Sequence, residues 1–389
     1  MKTPKPLLLP LAALALLAAS IGWYLASGGG DHMSSMRKLV PQASRFAAAQ
    51  GGVYRALRQT GGGPEETLGY VASQQAGGYA GPITVMVFVN GEGALKDLLV
   101  VENIETPAFF TRVMAADFPD QLRGKKSNSS FALGADLDAI SRATFTSRGI
   151  AEAARKAAHK IAVQEFKLEV PPAPKFAFSY EHIAILGLLA LVPVLHRLKL
   201  AKGRYLTLLA GFLLIGLWQK SPLSMSNISS VLGGNLPSPA EMPFWLILLV
   251  GVLSYILLLG RNLYCFWLCP MGAVAEGCAK AGEYGKLNMA PSSKHLQKYR
   301  QLRLILAWLA LVVGFATLNP SVSSYEIFAP LFALQGNKAQ WLMLPFFLFT
   351  GVFVARFWCR FFCPVGGILD ALAKFRSGIS TWLKKKKQS

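Results

Sequence analysis

Two apolar stretches long enough to cross a membrane each close on one six-residue pattern, Cys265-Phe266-Trp267-Leu268-Cys269-Pro270 and Cys359-Arg360-Phe361-Phe362-Cys363-Pro364. The copies keep a constant offset of 94 residues, from 265 to 359 and from 269 to 363, and use four of the five cysteines in the chain. Repeated thiol pairs of this kind offer four soft ligands to one metal centre or iron–sulfur cluster, or form two reactive dithiols. Structural zinc fits four thiolates equally well. A cysteine in an apolar helix also serves as a small hydrophobe, which is the reading for Cys278, outside the repeat.

Composition sets the class. The chain has 389 residues, of which 53% are hydrophobic and 15% charged, and its mean hydropathy is +0.38. That is too apolar for an ordinary soluble protein, and long enough for a soluble domain plus a membrane bundle. The net charge of +20 is not a nucleic-acid signal. Its lysines and arginines cluster at the ends of apolar runs, where the positive-inside rule expects them.

Six segments are expected to span: roughly 7–25, 181–197, 204–219, 243–260, 302–319 and 341–358. Basic flanks put Lys2 and Lys5, the 196–204 connection, the lysines and arginines between 280 and 303, and Lys384 to Lys387 on the cytoplasmic side. The connections 220–242 and 320–340 each carry one Lys and one Glu, as translocated loops do. The first segment also has small residues suited to signal cleavage, but its apolar run exceeds the usual h-region and an uncleaved anchor makes the number of spans even. The expected division is an anchor over 1–27, an external domain over 28–178 and a five-helix membrane domain over 179–389. All cysteines then lie inward, where thiols stay reduced.

Residues 28–178 read as an α+β domain. Residues 36–59 are expected as helix, Ile83 to Val89 as a strand, Asn90-Gly91 as a hairpin turn, 95–104 as a second strand and 148–166 as an amphipathic helix.

Just before that helix, Ser141-Arg142-Ala143-Thr144-Phe145-Thr146 resembles the flavinylation motif S-G-A-T-x-T of the FMN-binding domain found in RnfG, NqrC and NosR. Gly77-Gly78-Tyr79-Ala80-Gly81-Pro82-Ile83 and Glu105-Thr106-Pro107 resemble two further signatures of that family, in the same order. Arg142 stands where the family has glycine, and Ala108 follows Pro107 where glycine is common. The resemblance implies FMN linked through its phosphate to Thr146, with attachment by a flavin transferase. It places Tyr79, Glu105, Thr106, Ser141, Arg142, Ala143, Thr144 and Arg148 around the cofactor. A phosphate there would also meet a helix N-terminus flanked by Arg142 and Arg148.

The membrane half resembles NosR/NirI-type proteins, in which an external FMN domain precedes helices carrying two CxxxCP motifs. Those relatives continue into a cytoplasmic ferredoxin-like region, whereas this sequence ends at Lys384 to Lys387, so the soluble electron donor is expected to be another protein. The resulting expectation is a multidomain protein of the bacterial inner membrane. Both termini are cytoplasmic, and the α+β FMN domain is periplasmic, inserted after the first of six helices. Cys265, Cys269, Cys359 and Cys363 hold an iron–sulfur cluster or other thiolate-bound metal, with Arg261, Arg356 and Arg360 offsetting its charge. Electrons pass from a cytoplasmic donor to an extracytoplasmic acceptor or metalloenzyme; nucleic acid is not a partner. The alternatives are a NosR-like regulatory or maturation factor and a transmembrane thiol–disulfide conduit.

Overall fold

The computed structural model describes residues 8–27, 32–59, 64–79, 81–141, 143–172, 178–236, 239, 242–289 and 301–388. Arg142 lies outside them. The chain divides into two units.

The first unit comprises residues 1–175 together with 229–241 and 314–322. It opens with helices α1 (Leu8–Ser27) and α2 (His32–Leu39) and centres on an antiparallel five-stranded meander. The strands are β1 (Arg45–Ala48), β2 (Val53–Arg58), β3 (Glu66–Gly77), β4 (Pro82–Asn90) and β5 (Leu95–Asn103). Helix α3 (Pro107–Ala115) follows β5, and α4 (Thr144–Gln164) packs on β3 and β4. The period-two pattern of β4 explains its place in the core. Ile83, Val85, Val87 and Val89 are all fully buried, and Ile83 contacts the space beside Gly149 of α4. Met86, on the opposite face, joins Met36 and Leu39 of α2.

The expected strands, turn and C-terminal helix of this domain are present, with two corrections. Residues 36–59 are not one helix. After α2 the chain turns into the β1–β2 hairpin, and Gly51 and Gly52, at φ +63° and +79°, supply the left-handed backbone that this turn needs. Helix α4 starts four residues earlier than expected, because its first turn is already packed: Ser147 Oγ donates to Ala143 O and accepts from Ile140 N. The unit also holds the edge of Tyr24 in α1 against Phe315 at 5.4 Å. Beside Gly81, an added Cβ would stand 3.1 Å from Ser230 Oγ.

The second unit is helical: α5 (Tyr180–Arg197), α6 (Gly203–Trp218), the start of α7 (Met225–Leu232), α8 (Pro243–Leu259), α9 (Tyr264–Trp267), α10 (Pro270–Tyr284), most of α11 (Leu302–Ala316), α12 (Lys338–Phe353), α13 (Phe357–Phe361) and α14 (Pro364–Gln388). Among the described residues, two helices are long and apolar enough to cross a membrane, Pro10–Ser27 and Tyr180–Arg197. The other four expected spans correspond in place to the shorter apolar helices α6, α8, α11 and α12. Left-handed residues close off three of these, Gly260 after α8, Leu318 after α11 and Arg356 after α12, and α6 and α8 finish in π-turns. Their outer faces stay apolar, with Leu258 and Leu342 about three-quarters exposed.

Glu326, in the connection between α11 and α12, is a buried carboxylate that accepts from Met225 N and Ser324 Oγ. Burial pushes its carboxyl up to about 7 from 4.5. The unfolded chain ionises first as pH rises, so the stability contributed by the neutral form is complete below about pH 4.5 and lost as pH approaches 7. Glu326→Gln is therefore expected to leave the melting temperature at about pH 4 nearly unchanged and to raise it at about pH 8. Ile83→Ala is expected to cost about 2–5 kcal/mol, measured as a lowered unfolding midpoint in the far-UV circular dichroism of the purified chain.

Candidate functional site

The two cysteine motifs fold alike. In each, a one-turn helix, α9 or α13, carries the first cysteine and then breaks: Leu268 sits at φ −127° and Phe362 at −121°. Cys269 N and Leu268 N both donate to Tyr264 O, as Cys363 N and Phe362 N do to Trp358 O. The prolines begin new helices at their first position, as expected from a residue without a donor N–H. The motif is therefore not one continuous helix with both thiols on an i, i+4 face. Cys269 is instead the N-cap of α10, and Cys363 immediately precedes Pro364 at the equivalent position before α14.

That position explains the glycine three residues after each second cysteine. Gly366 N donates to Cys363 Sγ at 3.4 Å. A Cβ on Gly366 would stand 3.6 Å from Cys363 Sγ and 3.7 Å from Cys265 Sγ, so sulfurs of the two copies converge on one point. A Cβ on Gly272 would stand 3.0 Å from Cys265 O. Burial pushes the Cys269 thiol up, while N–H groups of Gly272 and Met271 and the charge of Arg356 pull it down.

The motifs also turn back along the bundle instead of resting at its end. Arg204, at the start of α6, donates to Phe266 O at 2.9 Å, whereas Pro270 packs at Gly216, 3.0 Å from where its Cβ would be. From Arg204 to Gly216 the helix rises by roughly 15 Å.

All four cysteines line one cavity of about 310 Å³, with Arg303, Arg356, Arg360, Asn262 and Asp370 in its wall. An exchange of polar contacts holds it together. Glu276 of α10 pairs with Arg204 and, at 2.7 Å, with Arg356 Nε. Asp370 of α14 pairs with Arg303 and accepts from Asn262 Nδ2 at 2.8 Å. Under the 94-residue offset, Glu276 maps onto Asp370 and Asn262 onto Arg356. Each copy thus supplies the carboxylate that the other copy's segment before its first cysteine grips. Arg303 also donates to Cys359 O at 3.2 Å, and Asn262 Oδ1 accepts from Cys265 N. Arg261 does not join the cavity; it donates to His196 at 2.8 Å. Arg303 lines the cavity.

Among the described residues, no three His, Cys, Asp or Glu side chains approach closely enough for a single metal ion. A closed zinc site with sulfurs about 2.3 Å from the metal is thus not preformed. The cavity, with the liquid volume of about ten waters, has room for a multinuclear cluster.

The second site lies in the first unit. Glu105, 1% exposed, accepts from Tyr79 N, and its carboxylate occupies the space that a Cβ on Gly78 would fill. Thr106, the N-cap residue of α3, is buried. The ring of Tyr79 meets Phe109 edge-on at 4.7 Å and Phe145 at 6.2 Å. Arg112 Nε donates to Ser141 O at 2.9 Å, tying α3 to the stretch before α4. Ala143 is the N-cap residue and is buried; Thr144 is exposed; Arg148 is exposed, its guanidinium 5.6 Å from the Phe145 ring centre. Thr146, in the first turn, is 1% exposed, and its Oγ1 has no hydrogen-bond partner among the described residues. Tyr79 thus touches both Glu105 and Phe145, and Arg112 links α3 to Ser141. Phe109, Phe145, Arg112 and Gly149 are additions. Gly149 allows α4 to approach Gly77 O, 3.0 Å from where its Cβ would be.

Two family descriptions match these regions: an FMN-binding domain over residues 78–159, and a 4Fe-4S binding domain over 241–286 and 341–388, covering both cysteine motifs. The regulatory protein NosR of Stutzerimonas stutzeri is 28% identical over 152 residues, 38% of this chain and 21% of the relative. Protein NirI of Paracoccus denitrificans is 29% identical over 163 residues, 39% and 22%. One component of the proton-translocating ferredoxin:NAD(+) oxidoreductase complex of Clostridium ljungdahlii is 26% identical over 132 residues, 33% and 70%. The chain is NosR/NirI-like. It joins an FMN-binding domain to a 4Fe-4S binding domain, and its match spans about a fifth of the NosR and NirI relatives' length.

The residues present fit both groups. The buried Thr146 hydroxyl lies in the uncapped first turn of a helix, and four thiols line one cavity. Gly366→Val is expected to displace the Cys265 and Cys363 sulfurs and to lower iron and acid-labile sulfide content at least about tenfold, a shift of about 1.4 kcal/mol in affinity, with flavin content unchanged. Glu276→Gln, which leaves two arginines without their shared charge, is expected to destabilise the helical unit by about 1.5–3 kcal/mol, read as a lower detergent-solution melting temperature.

Proposed function

We propose that this NosR/NirI-like chain carries electrons across the bacterial inner membrane. Its six apolar helices span, its termini face the cytoplasm and its FMN domain faces the periplasm. The observation that carries the reading is the convergence of all four motif cysteines on one arginine-lined cavity, in a chain that also builds an FMN-binding domain. When bound, a four-iron cluster supplies one-electron transfer and FMN supplies one- or two-electron transfer.

The chain's own residues bind and insulate. Cys265, Cys269, Cys359 and Cys363 are the cluster ligands, and Arg303, Arg356 and Arg360 offset the charge of four thiolates. Glu276 holds Arg356 in place, and Asp370 holds Arg303. Thr146 is the attachment residue for FMN; the first turn of α4 offers its N–H groups to the phosphate. Tyr79, Phe109 and Phe145 furnish an aromatic wall, and Glu105 fixes the Tyr79 backbone. The packing of 229–241 and 314–322 in the same unit as the FMN domain supports placing these connections on its side of the membrane. A cytoplasmic protein is the donor, and a periplasmic protein or metalloenzyme the acceptor. The similarity to regulatory protein NosR favours a second reading, support of a periplasmic metalloenzyme, which uses the same sites.

Thr146→Ala is expected to abolish in-gel flavin fluorescence of the denatured protein while leaving iron content intact. Replacing all four cysteines with serine is expected to do the converse. In inverted vesicles given a cytoplasmic-side reductant, both variants should lose reduction of a membrane-impermeant acceptor inside. Full reduction by the Thr146→Ala variant would show that FMN is not an obligatory carrier.

A further inference from the structure

The two copies that enclose the cysteine cavity are symmetric in their carboxylates but not in their cations. Glu276 and Asp370 are equivalent, and each is paired with the arginine near the start of an apolar helix, Arg204 or Arg303. At the two remaining equivalent positions that line the cavity, the first copy has Asn262 and Phe266, and the second has Arg356 and Arg360. Arg204, outside the cavity wall, and Arg303 and Arg356, within it, face two carboxylates, and Arg360 adds another cation to the wall without a carboxylate partner among the described ion pairs. The surplus positive charge comes from one copy.

Of that surplus, Arg356 is turned inward, while Arg360 lines the cavity from an exposed position. Arg356 Nη2 is buried, has no hydrogen-bond partner among the described residues, and stands 3.8 Å from the position of a Gly272 Cβ, itself 3.5 Å from Cys269 Cβ. Arg303 Nη1 stands 3.7 Å from the position of a Gly366 Cβ, the point on which the Cys265 and Cys363 sulfurs converge. Arg303 Nε is likewise buried without a partner among the described residues. Pairing with Glu276 places the Arg356 guanidinium 5.0 Å from the Phe266 ring centre, where it cannot swing out without losing both contacts.

A fixed cation beside a thiolate-held centre favours the form carrying one more electron, and net charge with hydrogen bonds to sulfur is a main determinant of cluster potential. We propose that Arg356 and Arg360 are the potential-setting residues of this centre: the second copy's cations, absent from the first, raise its midpoint potential. They are positioning residues, because they hold charge and donate no ligand. The inference rests on reading the cavity as the iron–sulfur site.

The test is a redox titration, followed by electron paramagnetic resonance, of the full-length protein in nanodiscs, with iron and sulfide assayed on each sample. Arg356→Asn copies the residue of the other repeat, and asparagine tolerates the left-handed backbone at φ +57°. It is expected to lower the reduced-to-oxidised ratio at a fixed solution potential by about tenfold, a downward shift of about 59 mV for one electron. Arg360→Phe, which touches no ion pair, should shift the potential in the same direction; Arg356→Lys should retain most of the original value; Asn262→Arg should raise it. Unchanged potentials in Arg360→Phe and Arg356→Asn at full iron occupancy overturn the proposal. If Arg356→Asn loses iron, Arg360→Phe and Asn262→Arg decide. An unaltered protein without iron overturns the iron–sulfur reading itself, and a cluster whose potential ignores these charges overturns only the inference.

Discussion

The helical unit depends on an exchange of charge between its two halves. Each half ends an apolar helix, turns back through a cysteine motif and begins a new helix with proline. Nothing local forces the two turns to meet. Glu276 and Asp370 do so, each reaching from the helix after one motif to the segment before the other. A partly buried carboxylate gripped by two donors is strongly placed, because leaving any one of the three unpaired carries a desolvation cost. Four thiols from distant parts of the chain are thereby held around one space before any metal arrives, much as a two-fold interface makes one site from two half-sites.

Within that frame the small residues have a specific job. Cys269 caps a helix and Cys363 holds the matching position, so each second sulfur faces amide N–H groups and the positive end of a helix. The third residue of each helix is a glycine, which lies against the Cys265 and Cys363 sulfurs at Gly366 and against Cys265 O at Gly272. The pattern is consequently longer than the cysteines alone: a cysteine, a proline, and a glycine two residues beyond it.

Much of this was legible in the sequence. The constant offset picked out the paired cysteines, which line one cavity, and the ordered motifs picked out Tyr79 and Glu105, which are hydrogen-bonded to each other. The same offset already aligned Glu276 with Asp370 and Gly272 with Gly366, yet it could not say that the carboxylates cross between copies, because side-chain pairing over 80 to 108 residues leaves no periodic trace. Residues 36–59 misled for a different reason: the helix ends at Leu39, ahead of Pro41, and the positive φ of Gly51 and Gly52 then turns the strands back as a hairpin. Arg303 read as a membrane-flanking charge because its place among other cations hid the contacts, with Asp370 and Cys359 O, that draw it inward.

The burial of Thr146 bears on the order of events in the life of this protein. Its hydroxyl is sealed beneath the first turn of a helix whose next turns pack against the sheet through Gly149 and Ile150. Any reagent would reach that oxygen only when the turn frays. Helix ends open at far lower free energy than the packed middle, so the reactive state is one of local unfolding and not of the whole domain. Any chemistry at Thr146 is therefore paced by the breathing of a single turn.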